Sequence, residues 1–207
     1  AQEKWNYTAE EMDQIKINGQ TIRRLKKNVR FAKTDQVILT DNAVQYIKDD
    51  VLYMNGNTIM IKGLDTLSCD SMVYWSNLDS GYAMGKVHYI QPTKGRRLTT
   101  ELFHYWQTEG YRGLSFITKG YTRVIEPDQH ITANKISYDD DTQIMKLTVN
   151  ASVENPNRGI FGNEMIIQYV DSLIEEINVI SNAFAYNNLN IRIKENGPYR
   201  QFRDEMS

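Results

Sequence analysis

Cysteine is almost absent from this chain. Its 207 residues include one, Cys69. No internal disulfide can form, so cysteine usage leaves the redox compartment open. Long apolar runs are missing too, and no stretch of about 18 residues would cross a membrane as a helix. Charge of one sign is lacking: the formal net charge is −2, which gives no basic footprint for nucleic acid. Histidine is scarce, with His88, His104 and His130 scattered and no close pair among them. That spacing does not suit a zinc site. No signal-peptide pattern is present, and the opening Ala1-Gln2 suits a mature end left after cleavage.

What is there points to strands. Four prolines and 13 tyrosines favour extended structure. Apolar residues at 41% and charged residues at 24% suit a chain with a sizeable core and argue against wholesale disorder. Residues 1–14 are polar and read as a flexible leader, although Thr8 with Glu11 could cap one helical turn. From Ile15 the pattern alternates, and Asn18-Gly19 marks a tight turn. Short runs of Val, Ile, Thr and Tyr follow, separated by polar turns such as Lys48-Asp49-Asp50 and Asp139-Asp140-Asp141. This spacing predicts an all-β fold. Residues 171–180 fit a helical face or an alternating strand, and the repeat described next decides for the strand.

One unit recurs: an aliphatic residue, usually Thr or Ser, any residue, Asn/Asp/Glu, any residue, an apolar residue, any residue, then usually Tyr. It reads Leu39 to Tyr46, Leu67 to Tyr74, Leu98 to Tyr105 and Ile131 to Tyr138, with a looser copy from Ile160 to Ile167. On this alignment the polar fourth positions are Asn42, Asp70, Glu101, Asn134 and Asn163. A second unit lies between the copies, at Asn28-Val29-Arg30-Phe31, Asn57-Thr58-Ile59-Met60, Lys86-Val87-His88-Tyr89 and Asn150-Ala151-Ser152-Val153, with a weaker instance at Asn182. Each period of about 30 residues therefore holds two strands and two turns, the mark of a repeat architecture. Residues 110–124 read as a long insert. Phe202 to Met206 echoes Phe161 to Met165, which suggests a fold truncated inside a further repeat. Cys69 fills a slot of the repeat that other copies fill with different residues, so a catalytic role is not expected there.

The alternation of these two units resembles the OstA/LptA family of lipopolysaccharide-transport β-proteins, whose module occurs in LptA, in LptC and at the N-terminus of LptD. The resemblance covers roughly residues 15–206, with Lys86 in place of Asn, a missing Tyr in the fifth copy and the insert as departures. It implies an elongated, twisted antiparallel β-jelly roll over residues 15–207. It also implies a periplasmic location, with association to the outer membrane, and a job: lipopolysaccharide binding, with the lipid A acyl chains in an apolar interior. Implied partners are lipopolysaccharide itself, other Lpt-type jelly rolls joined by edge-strand pairing, and a head-to-tail homo-oligomer. No cofactor, metal, nucleic acid or enzymatic activity is implied.

The interior face expected from the repeat comprises Leu39, Val44, Tyr46, Leu67, Met72, Tyr74, Leu98, Phe103, Tyr105, Ile131, Ile136 and Tyr138. Residues two apart share one face of a strand, but any sandwich core needs such a face, so the lipid assignment rests on the resemblance. Arg23-Arg24-Leu25-Lys26-Lys27 and Lys94-Gly95-Arg96-Arg97 read as charged strand ends or as contacts to lipid phosphates. Arg96→Ala is accordingly expected to alter mainly salt dependence, and Phe103→Asp to abolish lipid binding. Two rival readings are a β-repeat scaffold that binds no lipid and a carbohydrate-active enzyme. The latter needs paired carboxylates on one cleft, whereas Asp70 and Glu101 are repeat positions. A third reading makes the chain the N-terminal domain of a larger outer-membrane translocon.

Overall fold

A computed structural model of the chain describes residues 5–107, 114–191 and 200–206. It is built of strands: β1 (Asn6–Thr8), β2 (Glu11–Ile17), β3 (Gln20–Ala32), β4 (Gln36–Tyr46), β5 (Val51–Lys62), β6 (Asp65–Trp75), β7 (Ser80–Gln91) and β8 (Arg96–Trp106). Then come β9 (Ser115–Lys119), β10 (Thr122–Glu126), β11 (Gln129–Ala133), β12 (Lys135–Asp139), β13 (Ile144–Glu154), β14 (Arg158–Val170), β15 (Leu173–Ser181), β16 (Phe184–Ile191) and β17 (Arg200–Met206). All belong to one sheet, and every pairing is antiparallel. Among the described residues the only helical element is the 3₁₀ turn Pro92–Lys94.

The two sequence units turn out to be the two partners of one corner. The register between β4 and β5 slips between Leu39 and Asn42, between β5 and β6 from Asn55 to Thr58, and between β6 and β7 from Ser68 to Ser71. At each slip two left-handed residues oppose a single acid. Gly56 (φ 86°) and Asn57 (φ 44°) face Asp41, and Gly85 (φ 74°) and Lys86 (φ 46°) face Asp70. A β-bulge of this kind bends the strand and raises its twist. Glycine is required twice over here: a Cβ on Gly56 would lie 2.4 Å from Asp41 Oδ2, and one on Gly85 2.6 Å from Asp70 Oδ2. Asn57 Nδ2 donates to Asp41 Oδ2 at 2.9 Å, which ties the two units together.

The copy of this corner in β13 is strained. Val149 (φ 64°) stands where β5 and β7 have glycine, and it is 48% exposed. A left-handed β-branched residue costs about 1–2 kcal/mol. Val149→Gly is expected to stabilise the protein by about 0.5–1 kcal/mol after glycine's extra chain entropy. A urea titration checks this, and a loss of stability would contradict the corner geometry.

The corners fold the sheet into two facing walls. The first wall contains β2, β9, β12, β15 and the parts of the long strands that pair with them. The second contains β1, β10, β11, β16, β17 and the remaining parts. Side chains from both meet in one core. The rings of Tyr89 on the second wall and Phe103 on the first lie 5.3 Å apart, and Tyr105 Oη reaches Met60 Sδ across the core at 3.4 Å. The result is the expected antiparallel jelly roll.

Three local expectations are corrected. Part of the polar leader forms β1 and β2, which pair with opposite ends of β3; β2 is largely exposed on both sides, so no buried face leaves an apolar alternation in its sequence. The described part of the insert, from Leu114 onward, is a missed copy of the corner. Gly120 (φ 91°) sits against Glu101 between β9 and β10. The first repeat copy was aligned one residue too late: Asp41, not Asn42, is its corner acid, giving positions 41, 70, 101, 134 and 163.

Candidate functional site: the interior and its seam

Parity decides which side chains reach the interior. A straight strand puts residues two apart on one face, yet Leu67 and Met72 are five apart and both buried. The bulge between them absorbs the odd residue. Inward positions of the unit are therefore the first, third, sixth and eighth: Leu67, Cys69, Met72 and Tyr74 in β6, and Leu98, Thr100, Phe103 and Tyr105 in β8. Ile131, Ala133, Ile136 and Tyr138 continue the rows through β11 and β12. Nine of the twelve candidate residues thus lie on the buried face. Leu39, Val44 and Tyr46 do not. Leu39 is 36% exposed, and Val44 and Tyr46 are half-buried on the outside, where Tyr46 packs on Tyr53 at 5.4 Å. Their inward places fall to Ile38, Ala43 and Gln45, of which the first two are buried. Sequence reasoning missed these because Ile38-Leu39 and Asp41-Asn42 fit the unit in either register.

The interior is closed and filled by rings. Phe103 contacts Tyr89, Tyr105 and Phe116, and Phe116 contacts Tyr138. Trp5 stands edge-on to both Phe31 and Tyr74 at one end.

Opposite the corners the walls share no strand pairing in the described registers. They meet there along a seam of turns held by polar side chains. Lys62 bridges from the end of β5 to Asp79 and, at 2.6 Å, to Gln107 Oε1. Tyr74 Oη donates to Asp79 Oδ1 at 2.8 Å and lies 3.3 Å from Gln36 Oε1. Lys94 Nζ lies 3.8 Å from Asp140 Oδ1. Burial, followed by its Arg96 neighbour, lowers the pKa of Lys94. Above these contacts runs a cleft of about 690 Å³ lined by turns of both walls, including Lys62, Asp65, Lys94, Gln107, Leu114 and Asp140.

Arg96 is not the exposed cation its basic neighbours suggested. It is 3% exposed, and Glu126 is 8% exposed. Its Nε and Nη2 donate to Glu126 Oε1 at 2.8 and 2.6 Å. The guanidinium also lies 5.4 Å from the Tyr138 ring centre and 5.1 Å from that of Tyr169. Alternation explains this: Arg96 is two residues before Leu98 and shares its inward face, while Arg97 points out. Arg23 is also partly buried, over the Tyr7 ring at 4.1 Å, with Nη1 donating to Gln45 Oε1. Asp139 to Asp141 is a hairpin turn in which Asp139 Oδ1 accepts the Asp141 and Thr142 N–H groups.

Cys69 faces the core, 6% exposed. Burial pushes its thiol pKa up to about 11, the reverse of what a nucleophile needs. In the corrected register its slot holds Thr40, Thr100, Ala133 and Gly162. The Thr40 hydroxyl lies 3.1 Å from Gly56 O and 3.0 Å from Thr58 Oγ1. Cys69→Ser is therefore expected to fold within about 1 kcal/mol of the parent. An unfolded thiol deprotonates near pH 9 and this folded one near 11. Its contribution is complete below pH 9 and is lost as pH rises towards 11, by at most about 2.7 kcal/mol. Denaturant midpoints from pH 8 to 11 check this: the parent should weaken more than Cys69→Ser across that window. Equal curves would mean the thiol is not buried.

An antiparallel β-jelly roll of hairpin repeats, wrapped around one apolar interior and seamed by polar turns, is the class of protein that the fold defines. The chain belongs to the family described as LptA/(LptD N-terminal domain) LPS transport protein, whose model matches residues 37–172. No curated protein sequence matches it. Among solved structures it is similar to LptH, described as the LptA homologous periplasmic component of the conserved lipopolysaccharide transport device from Pseudomonas aeruginosa. The identity there is 8% and the TM-score 0.27, over 99% of this chain and 95% of that one.

Proposed function

We propose that this protein carries lipopolysaccharide across the periplasm by sheltering the lipid A acyl chains between its two walls, and that it joins other Lpt-type jelly rolls through its edge strands. The observation that supports this most is the single apolar face shared by every repeat and bounded opposite the corners by polar turns instead of strand pairing. Walls hinged along one side can part along the other. Each buried CH₂ contributes about 0.8 kcal/mol, so a few acyl chains would offset the loss of ring packing when the walls separate. The work is the same whether the module acts alone or as the N-terminal domain of a larger translocon.

Edge strands support the bridging part. In the described registers β1 and β2 each pair only with β3, β15 only with β14, and β17 only with β16. Open edges accept a further strand by β-augmentation. Leu173 and Ile180, 69% and 57% exposed on β15, would be covered by such a partner.

A second reading has its own support. The filled interior fits a scaffold that assembles without lipid. Native mass spectrometry of protein gently purified from a Gram-negative host separates the two. Carriage predicts adducts with the mass of lipopolysaccharide or its lipid A portion; protein that is consistently lipid-free supports the scaffold.

A further inference from the structure

We infer that acyl chains reach the interior sideways through the seam, and that Lys62, bridged to Asp79 and Gln107 beside Leu114, is the latch of that gate. The inference rests on the lipid-carrying reading above and adds where the ligand passes. Two spaces meet at this point. Outside is the polar cleft between the turns of the two walls. Inside is a small apolar cavity of about 20 Å³, lined by Met60, Leu67, Tyr89 and Tyr105 among others. Lys62, Asp65 and Leu114 line both. Moving the Lys62 side chain and Leu114 would join the cleft to the core.

Three other ways in, among the described residues, are better closed. The long strands β4 to β8 run unbroken through the corner side and pair on both sides of each bulge. Trp5 plugs one end against Phe31 and Tyr74. Further along the seam, Arg96 and Glu126 are buried and their pair is costly to break. The Lys62–Asp79 bridge differs, because its side chains are 28% and 31% exposed. Ion pairs that water reaches hold more weakly than buried ones, which suits a contact that must open and reclose. The apolar stem of Lys62 can lie along an incoming chain while its ammonium stays in water.

The test replaces the ionic latch by a covalent one. Lys62→Cys and Asp79→Cys are combined in a Cys69→Ser background and bridged by a bifunctional thiol reagent that reduction cleaves. Uptake of cis-parinaric acid is followed by its fluorescence. The bridged protein should load at least about tenfold more slowly than the same sample after reduction. In a separate variant, Lys62→Met should load about two- to fivefold faster than the parent. A bridge on the outer face, from Tyr53→Cys to Val73→Cys, should leave the rate unchanged. If bridged and reduced samples load equally fast, the gate is elsewhere while the carrier reading stands. If the reduced protein and the parent take up no probe, the carrier reading falls and the gate with it.

Discussion

Arg96→Ala is expected to destabilise the protein by about 3–5 kcal/mol, because it strands the Glu126 carboxylate in the core. Glu126 would keep only Gln129 Nε2 at 2.6 Å and the Tyr169 hydroxyl at 3.3 Å. The loss should be nearly the same at low and high salt, since buried pairs are poorly screened. This replaces the expectation from sequence that Arg96 governs salt dependence. The asymmetry of buried ion pairs sharpens the test. Removing both charges together, as in Arg96→Met with Glu126→Leu, should recover most of the stability. Urea titrations of the parent and both variants measure it. A loss under about 1 kcal/mol for Arg96→Ala, typical of a surface pair, would mean the residue is not buried.

Phe103→Ala is expected to cost about 3–5 kcal/mol, the range for a buried aromatic cut to alanine. Phe103 is fully buried against three rings. The more telling outcome comes on adding ligand. An apolar void stays dry and accepts apolar guests, and a ligand that binds only the folded state raises stability by mass action. In a lipid carrier, saturating long-chain fatty acid should raise the melting temperature of Phe103→Ala more than that of the parent. A scaffold with a solid core predicts no rise in the parent. Phe103→Asp is a poorer probe than it looked from sequence, since an unpaired carboxylate at this site costs several kcal/mol and would report unfolding.

The repeat was legible because each corner needs a particular pair of partners. An acid such as Asp70 must face a left-handed pair such as Gly85-Lys86, and both leave a trace in sequence. The interior face of β6, β8, β11 and β12 followed from it. The first copy slipped by one because Ile38 and Leu39 are both aliphatic, and a one-residue slip moves every side chain to the other face. The seam was illegible for a different reason. Lys62, Asp79 and Gln107 are brought together only by the folding of two walls, and no spacing along the chain announces it. Arg96 was misread through its company: Lys94-Gly95-Arg96-Arg97 is a basic cluster in sequence, but alternation sends one arginine inward and the next outward.

The central claim is that acyl chains occupy the face between the walls, and the methionines are placed to test it. Met54, Met60, Met72, Met145 and Met165 are buried on the inner face, at most 5% exposed. Met12 is 53% exposed, and Met84 is half-buried on the outer face across from Leu102. Growing the protein with photo-methionine, loading it with lipopolysaccharide, irradiating and mapping the adducts by peptide mass spectrometry reads out both sets in one sample. Lipid adducts concentrated on the inner methionines are the expected result. Adducts spread equally over Met12 and Met84, or confined to them, would contradict an interior site for the lipid.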